Sequence, residues 1–166
     1  MRINFLVKKK KQETLNFIKE KYDLELPSCQ IIKQSNDKLR IFTGNLSEHE
    51  LSILTGTVRV ETVGLYLATI DKNKENHEEN IRFSFDASFL GKKATKNVLD
   101  LNDEQVKQWF KGNDISLEEQ RPDTDQNSIL MYSYIFLKYK DEMVGCGKLV
   151  QGKILNFVPK ERRIKY

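Results

Sequence analysis

The chain has 166 residues, of which 39% are hydrophobic and 31% are charged, and its formal net charge is +4. This length allows one substantial core or two small ones, and no apolar run approaches the roughly 20 residues of a membrane span. Cys29 and Cys146 are far apart and predict neither a disulfide framework nor a metal site, so we expect a cytoplasmic protein that holds no cofactor and has no membrane partner.

The first elements predict a small α/β unit. Arg2–Val7 is a short run of β-branched and apolar residues, which is typical of a strand. The basic patch Lys8–Lys11 follows this run, which is the reverse of the order in a signal peptide. Lys9–Tyr22 carries apolar residues at the three- and four-residue spacing of a helix. The next predicted elements are hairpin strands at Cys29–Lys33 and Lys38–Phe42, a capping-box helix from Ser47 to Leu54 that Gly56 ends, and one or two strands within Thr57–Ile70, where Gly64 indicates a bulge or a close backbone approach.

A polar segment, Asp71–Asn80, separates the two halves of the chain. It contains no apolar residue, which predicts an exposed linker or a long hairpin loop. We place the domain boundary in this segment. The N-terminal α/β domain then covers residues 1–79, and a second domain covers residues 80–166.

The second domain is predicted to be mostly β. Ile81–Phe85 alternates around Arg82 and Ser84, as a strand with two different faces does. Asn102 is a suitable N-cap for a helix over Asp103–Lys111. The other predicted elements are a helical turn over Ala87–Leu90 closed by Gly91, a loop with Lys92 and Lys93, a strand over Asn97–Leu101, Gly112 at the helix end and a polar loop over Glu118–Ser128.

The last third of the chain, Ile129–Tyr166, predicts an antiparallel meander. Its three apolar, β-rich runs are separated by two short polar turns. The segment holds eight Lys or Arg against three acids, a net of +5 that exceeds the +4 of the whole chain. The second domain, at about 85 residues, has the size of a small barrel. The expected fold class is therefore α+β, a small N-terminal α/β domain followed by a C-terminal β-barrel.

No pattern in the sequence predicts catalysis. A P-loop is absent, and the glycine pair around Cys146 lies between predicted strands and not before a helix, as a dinucleotide site would require. His49 and His77 have no Cys or acidic pattern that would form a triad or a zinc site. Cys146 has no neighbouring base, so a Cys146-dependent transferase is the weakest alternative and a core-facing cysteine is the favoured interpretation.

Basic and aromatic residues alternate in the meander, a combination typical of nucleic-acid binding. The candidate phosphate-binding residues are Lys148, Lys153, Lys160, Arg162, Arg163 and Lys165, and the candidate stacking residues are Tyr132, Tyr134, Tyr139, Phe157 and Tyr166. Core-facing positions are the alternative for the aromatics, since Tyr132, Tyr134 and Phe136 share one face of a strand. Two further candidate patches are Lys8–Lys11 and the group Lys92, Lys93 and Lys96.

The closing motifs have a specific spacing: a glycine pair followed by a lysine, a glycine turn, and then Asn, Pro, Lys and Arg at fixed intervals. The positions are Gly145, Gly147, Lys148, Gly152, Asn156, Pro159, Lys160 and Arg163. From Val106 to Arg163 this order resembles the PUA-like RNA-binding domain at the C-terminus of RsmF-type 5-methylcytosine rRNA methyltransferases. The layout of an α/β unit before a PUA unit is also similar to stand-alone archaeal proteins and to the Nip-seven group of ribosome-biogenesis factors.

The resemblance implies a PUA-like β-barrel and RNA binding. It implies that Trp109–Asp114 lies close to Gly145–Lys148, where the two glycines would let an RNA backbone approach. Pro159 is then expected to free Lys160–Arg163 as a short, projecting basic tail. Methylation is not implied, because the sequence contains no methyl-donor site and no Pro-Cys catalytic loop.

We therefore predict non-catalytic binding of structured RNA, first of all rRNA in ribosome biogenesis or RNA modification, with tRNA second. An RNA-modifying enzyme or a ribosomal protein is the expected protein partner. The alternative function is a protein–protein adaptor that docks on such a partner through the N-terminal unit. The predicted RNA-binding residues are Lys92, Lys93, Lys111, Gly145, Gly147, Lys148, Lys153, Asn156, Lys160, Arg162 and Arg163.

Overall fold

The computed structural model describes residues 4–33, 35, 37–72, 79–117 and 133–165, and in these ranges the chain builds two five-stranded sheets. The first sheet is antiparallel with its strands in chain order: β1 (Asn4–Phe5), β2 (Gln30–Lys33), β3 (Lys38–Phe42), β4 (Leu65–Lys72) and β5 (Glu79–Phe83). Helices α1 (Lys8–Tyr22) and α2 (Glu48–Thr57) are inserted between these strands. The predicted first helix and the hairpin after it are confirmed.

The start of α2 follows from the capping box that the sequence predicts. The hydroxyl of Ser47 accepts a hydrogen bond from the backbone NH of Glu50, and the Glu50 carboxylate accepts one from the backbone NH of Ser47. The predicted end at Gly56 is wrong, because the helix continues to Thr57. A glycine inside a helix costs only about 1 kcal/mol relative to alanine, which is too little to end a helix that buries Leu51.

One strand, β4, lies in the segment that was predicted to hold one or two. It begins at Leu65, directly after Gly64. Gly64 has a φ of +69°, and a Cβ at this position would lie 2.1 Å from the carbonyl oxygen of Ile41. The close backbone approach predicted at this glycine is therefore confirmed.

The predicted domain boundary falls inside a strand. β4 pairs with β5 between residues 68–72 and 79–83, so the polar segment joins the two strands of a hairpin, one of the two forms expected from the sequence. β5 therefore belongs to the first sheet, and the second sheet begins with the next strand and not at residue 80. The cause is the apolar face of β5, since Ile81 and Phe83 are buried in the core beneath the first sheet.

The second sheet contains the predicted meander. Its strands are β6 (Val98–Asp100), β7 (Ile115–Ser116), β8 (Tyr134–Tyr139), β9 (Glu142–Val150) and β10 (Lys153–Leu155), in the order β6-β8-β9-β10-β7. All pairs are antiparallel except β6 with β8. β6 and β7 remain edges, so in the described ranges the predicted barrel is an open sheet. Helix α3 (Asp103–Lys111) and two short 3-10 helices, Ser88–Lys93 and Lys160–Arg162, complete this half of the chain; the polar loop predicted at Glu118–Ser128 lies outside the described residues.

Helix α3 has the bounds that the sequence predicts. The side chain of Asn102 accepts hydrogen bonds from the backbone NH groups of Glu104 and Gln105, and Gly112 ends the helix with a φ of +87°. None of the described helices combines the length and the apolar composition needed to cross a membrane.

The two sheets share one core, which is centred on Tyr22 of α1. Its ring centre lies 5.5 Å from that of Phe83 in β5 and 5.1 Å from that of Phe136 in β8. Its hydroxyl lies within hydrogen-bond distance of the carbonyl oxygens of Ile81 and Tyr134. Because these partners come from both sheets, the two units are packed against each other.

A second core lies on the other face of the second sheet, beneath α3. Side chains alternate along a strand, so Ile135 and Leu137 face α3 while Tyr134 and Phe136 face the first sheet. The buried members of this second core are Leu101, Val106, Trp109, Ile115, Ile135, Leu137, Val144, Ile154 and Val158.

Candidate nucleic-acid interface

Two lysines share the face of the second sheet that carries Tyr134. Lys148 lies opposite Tyr134, and Lys153 lies opposite Val150, two residues after Lys148. Residues opposite each other in an antiparallel pair, and residues two apart in a strand, lie on the same face. Lys148 and Lys153 are therefore diagonal neighbours about 7–8 Å apart, and Lys153 is exposed while Lys148 is partly exposed. We call Lys148, Lys153 and the partly exposed Phe157 the β9–β10 face.

Phe157 connects this face to the first sheet. Its ring centre lies 5.9 Å from that of Tyr134, and the guanidinium carbon of Arg82 lies 4.6 Å from the centre of the Phe157 ring. The ammonium nitrogen of Lys148 lies 5.5 Å from the centre of the Tyr134 ring. The two distances from a cation to a ring centre, 4.6 Å for Arg82 and 5.5 Å for Lys148, are those of cation–π contacts. We call the series Arg82, Phe157, Tyr134 and Lys148 the cation–aromatic row.

The predicted stacking residues differ in their exposure. Tyr134 is 2% exposed, so its ring is a core residue, and its hydroxyl donates a hydrogen bond to the carboxylate of Asp71 in β4. Tyr139 is partly exposed and donates to the carboxylate of Asp103 at 2.9 Å. Tyr132 and Tyr166 lie outside the described residues. Phe157 is therefore the described aromatic that lies on the β9–β10 face and is open to solvent.

The chain at Arg163 and Ile164 folds back onto the end of α3, so the prediction of a projecting tail is wrong. The Nε of Arg163 donates to the carbonyl oxygen of Val158 at 3.0 Å, and a Cβ at Gly112 would lie 2.5 Å from the same nitrogen. The backbone NH of Ile164 donates to the carbonyl oxygen of Phe110 at 2.8 Å. The last carbonyl groups of a helix lack hydrogen-bond donors within the helix. The backbone NH of Ile164, in the segment after Pro159, is the donor for one of these carbonyl groups.

Lys160 and Arg162 differ in what they bind within the protein. A guanidinium nitrogen of Arg162 lies 3.3 Å from a carboxylate oxygen of Asp86. Lys160 is exposed and takes part in none of the ion pairs found among the described residues. It follows Phe157 by three residues, which span at most about 11 Å. Lys160 thus extends the positive charge at the edge of the β9–β10 face.

Gly145 and Gly147 are buried, and core side chains occupy the space that they leave. A Cβ at Gly145, whose φ is +150°, would lie 2.9 Å from the indole of Trp109; a Cβ at Gly147 would lie 2.3 Å from a methyl group of Ile154. The predicted closeness of α3 and this glycine pair is confirmed, since the Trp109 indole NH donates to the carbonyl oxygen of Val144 at 2.8 Å. The expectation that the two glycines leave room for an RNA backbone is wrong, because core side chains occupy the space beside them.

Asn156 uses its whole side chain within the protein. Its Nδ2 donates to the carbonyl oxygens of Trp109, at 2.8 Å, and Asn113, at 3.0 Å, while its Oδ1 accepts from the backbone NH of Val158 at 2.8 Å. Its backbone NH donates to the carboxylate of Asp114. Asn156 therefore links the end of β10 to the end of α3 by hydrogen bonds. These hydrogen bonds are sufficient to explain an asparagine at this position.

Lys92 and Lys93 are exposed at the opposite end of β9, in a 3-10 helix where a loop was predicted. The ammonium nitrogen of Lys92 lies 2.9 Å from a carboxylate oxygen of Glu142. Glu142 precedes Lys148 by six residues, which corresponds to about 20 Å along a strand. The structure therefore separates these two lysines from the β9–β10 face.

Lys111 is exposed in the last turn of α3, beside the Gly112 that Arg163 contacts. A cation at this end of a helix is stabilised by the helix dipole by about 0.3–1 kcal/mol. At the start of α1, Lys10 pairs with Glu79 at 2.5 Å and Lys11 donates to the carbonyl oxygen of Cys29 at 2.8 Å. Half of the predicted Lys8–Lys11 patch is thus used within the fold.

Cys146 is 3% exposed, and burial raises the pKa of its thiol from the ordinary 9.0 to about 12. A thiol that stays protonated is a poor nucleophile. The core-facing interpretation is confirmed. In the part of the chain that the structure describes, no group of three or more His, Cys, Asp or Glu side chains could hold a metal ion.

Arg82 is the residue of this surface that the sequence did not indicate. The alternation of Ile81–Phe85 predicts a strand with two faces, and the structure confirms it, since Ile81 and Phe83 are buried while Arg82 is partly exposed. The contact with Phe157 joins two distant parts of the chain, and no local pattern reports such a contact.

Comparison with known proteins finds one matching family model and several similar proteins. Residues 96–164 match the family model described as the methyltransferase RsmF PUA domain. Similar proteins include ribosomal RNA small subunit methyltransferase F of Photobacterium profundum, 31% identical over 139 residues that cover 83% of this chain and 25% of that protein. The same enzyme of Vibrio vulnificus is 25% identical over 144 residues, which cover 87% of this chain and 26% of that protein. The chain thus spans about a quarter of the length of these relatives.

Proposed function

Because residues 96–164 form a PUA-like domain that resembles the C-terminal domain of RsmF-type methyltransferases, we propose that this protein binds structured RNA. The first target class is rRNA in ribosome biogenesis or RNA modification, and tRNA is the second. The observation that carries this proposal is the match to the RsmF PUA domain over residues 96–164. A cytoplasmic location belongs to the same proposal, since the relatives are named for small-subunit ribosomal RNA.

The charge distribution supports the proposal. Lys148, Lys153 and Lys160 are at least partly exposed, and none of the ion pairs among the described residues includes them. Each lysine that neutralises a phosphate releases a counterion, which makes the affinity depend on salt. The β9–β10 face together with Lys160 is therefore assigned to the phosphate backbone.

The proposal gives the chain no catalytic role and leaves modification chemistry to a partner protein. Burial of the Cys146 thiol supports this part of it. An RNA-modifying enzyme or a ribosomal protein is the proposed partner.

The experiment that tests the function is ultraviolet crosslinking of the full chain in a cell lysate, followed by sequencing of the attached RNA. Enrichment of small-subunit rRNA fragments over tRNA and mRNA is expected. Recovery of RNA in proportion to its abundance, or recovery of none, contradicts the proposal. A parallel measurement with purified transcripts over a salt series separates electrostatic binding from partner-mediated recovery.

A second candidate function, a protein–protein adaptor, is favoured by one feature of α2. Ile53 is 55% exposed, Leu54 is 41% exposed and Val58, just after the helix, is 50% exposed. Neighbouring exposed apolar side chains of this kind occur at protein interfaces. The test measures binding of a purified ribosomal protein or RNA-modifying enzyme at high salt and after nuclease treatment. Binding that persists under these conditions and is lost in Ile53→Asp would favour this function over RNA binding.

A further inference from the structure

The cation–aromatic row has the composition of a site for an unpaired nucleotide. Unpaired bases stack on aromatic rings and on guanidinium planes, and this stacking is largely independent of sequence. An ammonium group neutralises a phosphate. The row supplies all three kinds of group in one connected series: the guanidinium of Arg82 contacts the ring of Phe157, this ring packs against Tyr134, and the ammonium of Lys148 contacts the ring of Tyr134.

Arg82 holds hydrogen-bonding capacity that the described residues do not use. Its Nε is buried and has no hydrogen-bond partner. The carboxylate oxygen of Asp71 lies 3.9 Å from this nitrogen, which is beyond hydrogen-bond distance. A terminal nitrogen reaches the hydroxyl of Thr69 only at 3.4 Å. A guanidinium has five donors, so a ligand with acceptor atoms would gain contacts at the exposed part of this side chain, which amounts to 30%.

The position of the row within the fold adds a second argument. Arg82 belongs to the first sheet, and Lys148 and Phe157 to the second half of the chain. The row therefore crosses the junction of the two sheets and continues onto Lys153, whose Cα lies about 7–8 Å diagonally from that of Lys148. A strand of RNA lying along this line would meet a stacking surface first and two separate ammonium groups after it.

We propose that the cation–aromatic row binds one unpaired nucleotide of the RNA, with its base against Arg82 and Phe157 and its phosphate at Lys148. This inference rests on the proposed RNA-binding function and adds that the RNA is single-stranded where it crosses the row. A base inside a duplex has both faces covered by its neighbours and cannot stack on a side chain without leaving the helix. Single-stranded RNA is therefore favoured over duplex RNA at this site.

The test compares the binding of a short, labelled single-stranded oligoadenylate with that of a blunt RNA duplex of equal length, by fluorescence anisotropy with the full chain. Phe157→Leu removes the ring and keeps an apolar side chain; it is expected to weaken single-strand binding about tenfold and to leave the salt dependence unchanged. Lys148→Gln is expected to lower the slope of log K against log salt by about 0.7, the value for one phosphate of a single strand.

Two matched controls lie elsewhere. Phe89→Leu changes an aromatic residue that is 58% exposed within the 3-10 helix of residues 88–93. Lys107→Gln changes an exposed lysine of α3, on the other face of the sheet. Both controls are expected to bind the single strand as the parent does. Crosslinking of the oligoadenylate to the peptide that contains Phe157 would locate the RNA at this ring, and this crosslink is expected to be lost in Arg82→Gln.

The outcomes separate the subsite from the function. The proposed subsite is wrong if the parent binds RNA and Phe157→Leu binds it with equal affinity. It is also wrong if Phe157→Leu loses the same affinity for the single strand and for the duplex. Either result leaves the proposed RNA-binding function intact. Failure of the parent to bind either RNA overturns the proposed function. Should Phe157→Leu not fold, Arg82→Gln takes its place, and an unchanged single-strand affinity in that variant overturns the subsite.

Discussion

The indole nitrogen of Trp109 lies 2.8 Å from the carbonyl oxygen of Val144, and this hydrogen bond fixes α3 against the middle of β9. It places the indole directly over Gly145, where any side chain would collide with the ring. The glycine of the closing motif is thus required by an internal contact between α3 and the sheet.

Gly145→Ala is expected to lower the free energy of unfolding by about 2–3 kcal/mol, because the methyl group overpacks the core and the backbone φ of +150° disfavours a side chain. Urea denaturation measures the change. Gly56→Ala is the control, since nothing lies within 4 Å of a Cβ there and alanine is the better helix former, so a gain of about 0.5–1 kcal/mol is expected. A Gly145→Ala protein that keeps its stability but loses RNA affinity would show that the glycine serves RNA directly.

Asn156→Ala is expected to cost about 1–3 kcal/mol, because the carbonyl oxygens of Trp109 and Asn113 and the NH of Val158 lose their partner. Asn156→Asp restores the acceptor but not the donors, and it adds a negative charge at a helix C-terminus, so it is not expected to recover stability. Thermal unfolding monitored by circular dichroism measures both variants. Full stability in Asn156→Ala would contradict the assigned hydrogen bonds.

The cysteines are expected to differ in reactivity. Burial raises the pKa of both thiols, but Cys29 is only half-buried, whereas Cys146 is buried and its pKa is about 12. Iodoacetamide at about pH 8 should therefore modify Cys29 first and Cys146 only after unfolding, as followed by mass spectrometry. Equal native rates at the two sites would place Cys146 at the surface and revive the transferase alternative.

The same burial predicts a pH dependence of stability. The Cys146 thiol titrates near 9.0 when it is exposed by unfolding and near 12 in the native protein. Its contribution to stability is therefore complete below about pH 9 and is lost as the pH rises toward 12. Cys146→Ala should lose less stability than the parent between about pH 8 and pH 10 in urea titrations, and an identical loss in both proteins would contradict the raised pKa.

The C-terminal cations are expected to separate into structural and RNA-facing residues. Arg163→Ala should lower the free energy of unfolding by about 1.5–3 kcal/mol, because it removes a charged hydrogen bond to the Val158 carbonyl, while Lys160→Ala should change it by no more than about 0.5 kcal/mol. Lys160→Ala should instead flatten the salt dependence of RNA binding. Combined with Arg162→Ala and Arg163→Ala, it should weaken binding further; a triple variant that binds as the parent does at every salt concentration contradicts the assignment of this turn.

Local signals in the sequence were sufficient for elements whose ends depend on neighbouring residues. Asn102 and Gly112 predicted both ends of α3, and Ser47 with Glu50 predicted the start of α2. The meander was predicted because its turns and apolar runs are also local features. Such elements are specified by hydrogen bonds between residues a few positions apart.

The sequence could not predict what depends on contacts between distant segments. The roles of Gly145 and Asn156 follow from Trp109 in α3 and from Asn113 just after this helix. The folding back of Arg163 follows from its contacts with the end of α3. Basic composition alone could not distinguish Lys160, which is open to solvent, from Arg162, which pairs with Asp86. The contact of Arg82 with Phe157 likewise exists only once both sheets are formed.

The most direct test of the RNA-binding account measures the salt dependence of rRNA binding in two charge-matched double variants. Lys148→Gln with Lys153→Gln removes both cations of the β9–β10 face, and Lys19→Gln with Lys107→Gln removes two exposed lysines from α1 and α3. We expect the first pair to lower the slope of log K against log salt by roughly 1.4–1.8, the value for two phosphates, and the second pair to leave it as in the parent. Equal slopes for the two pairs would contradict an RNA interface on the β9–β10 face.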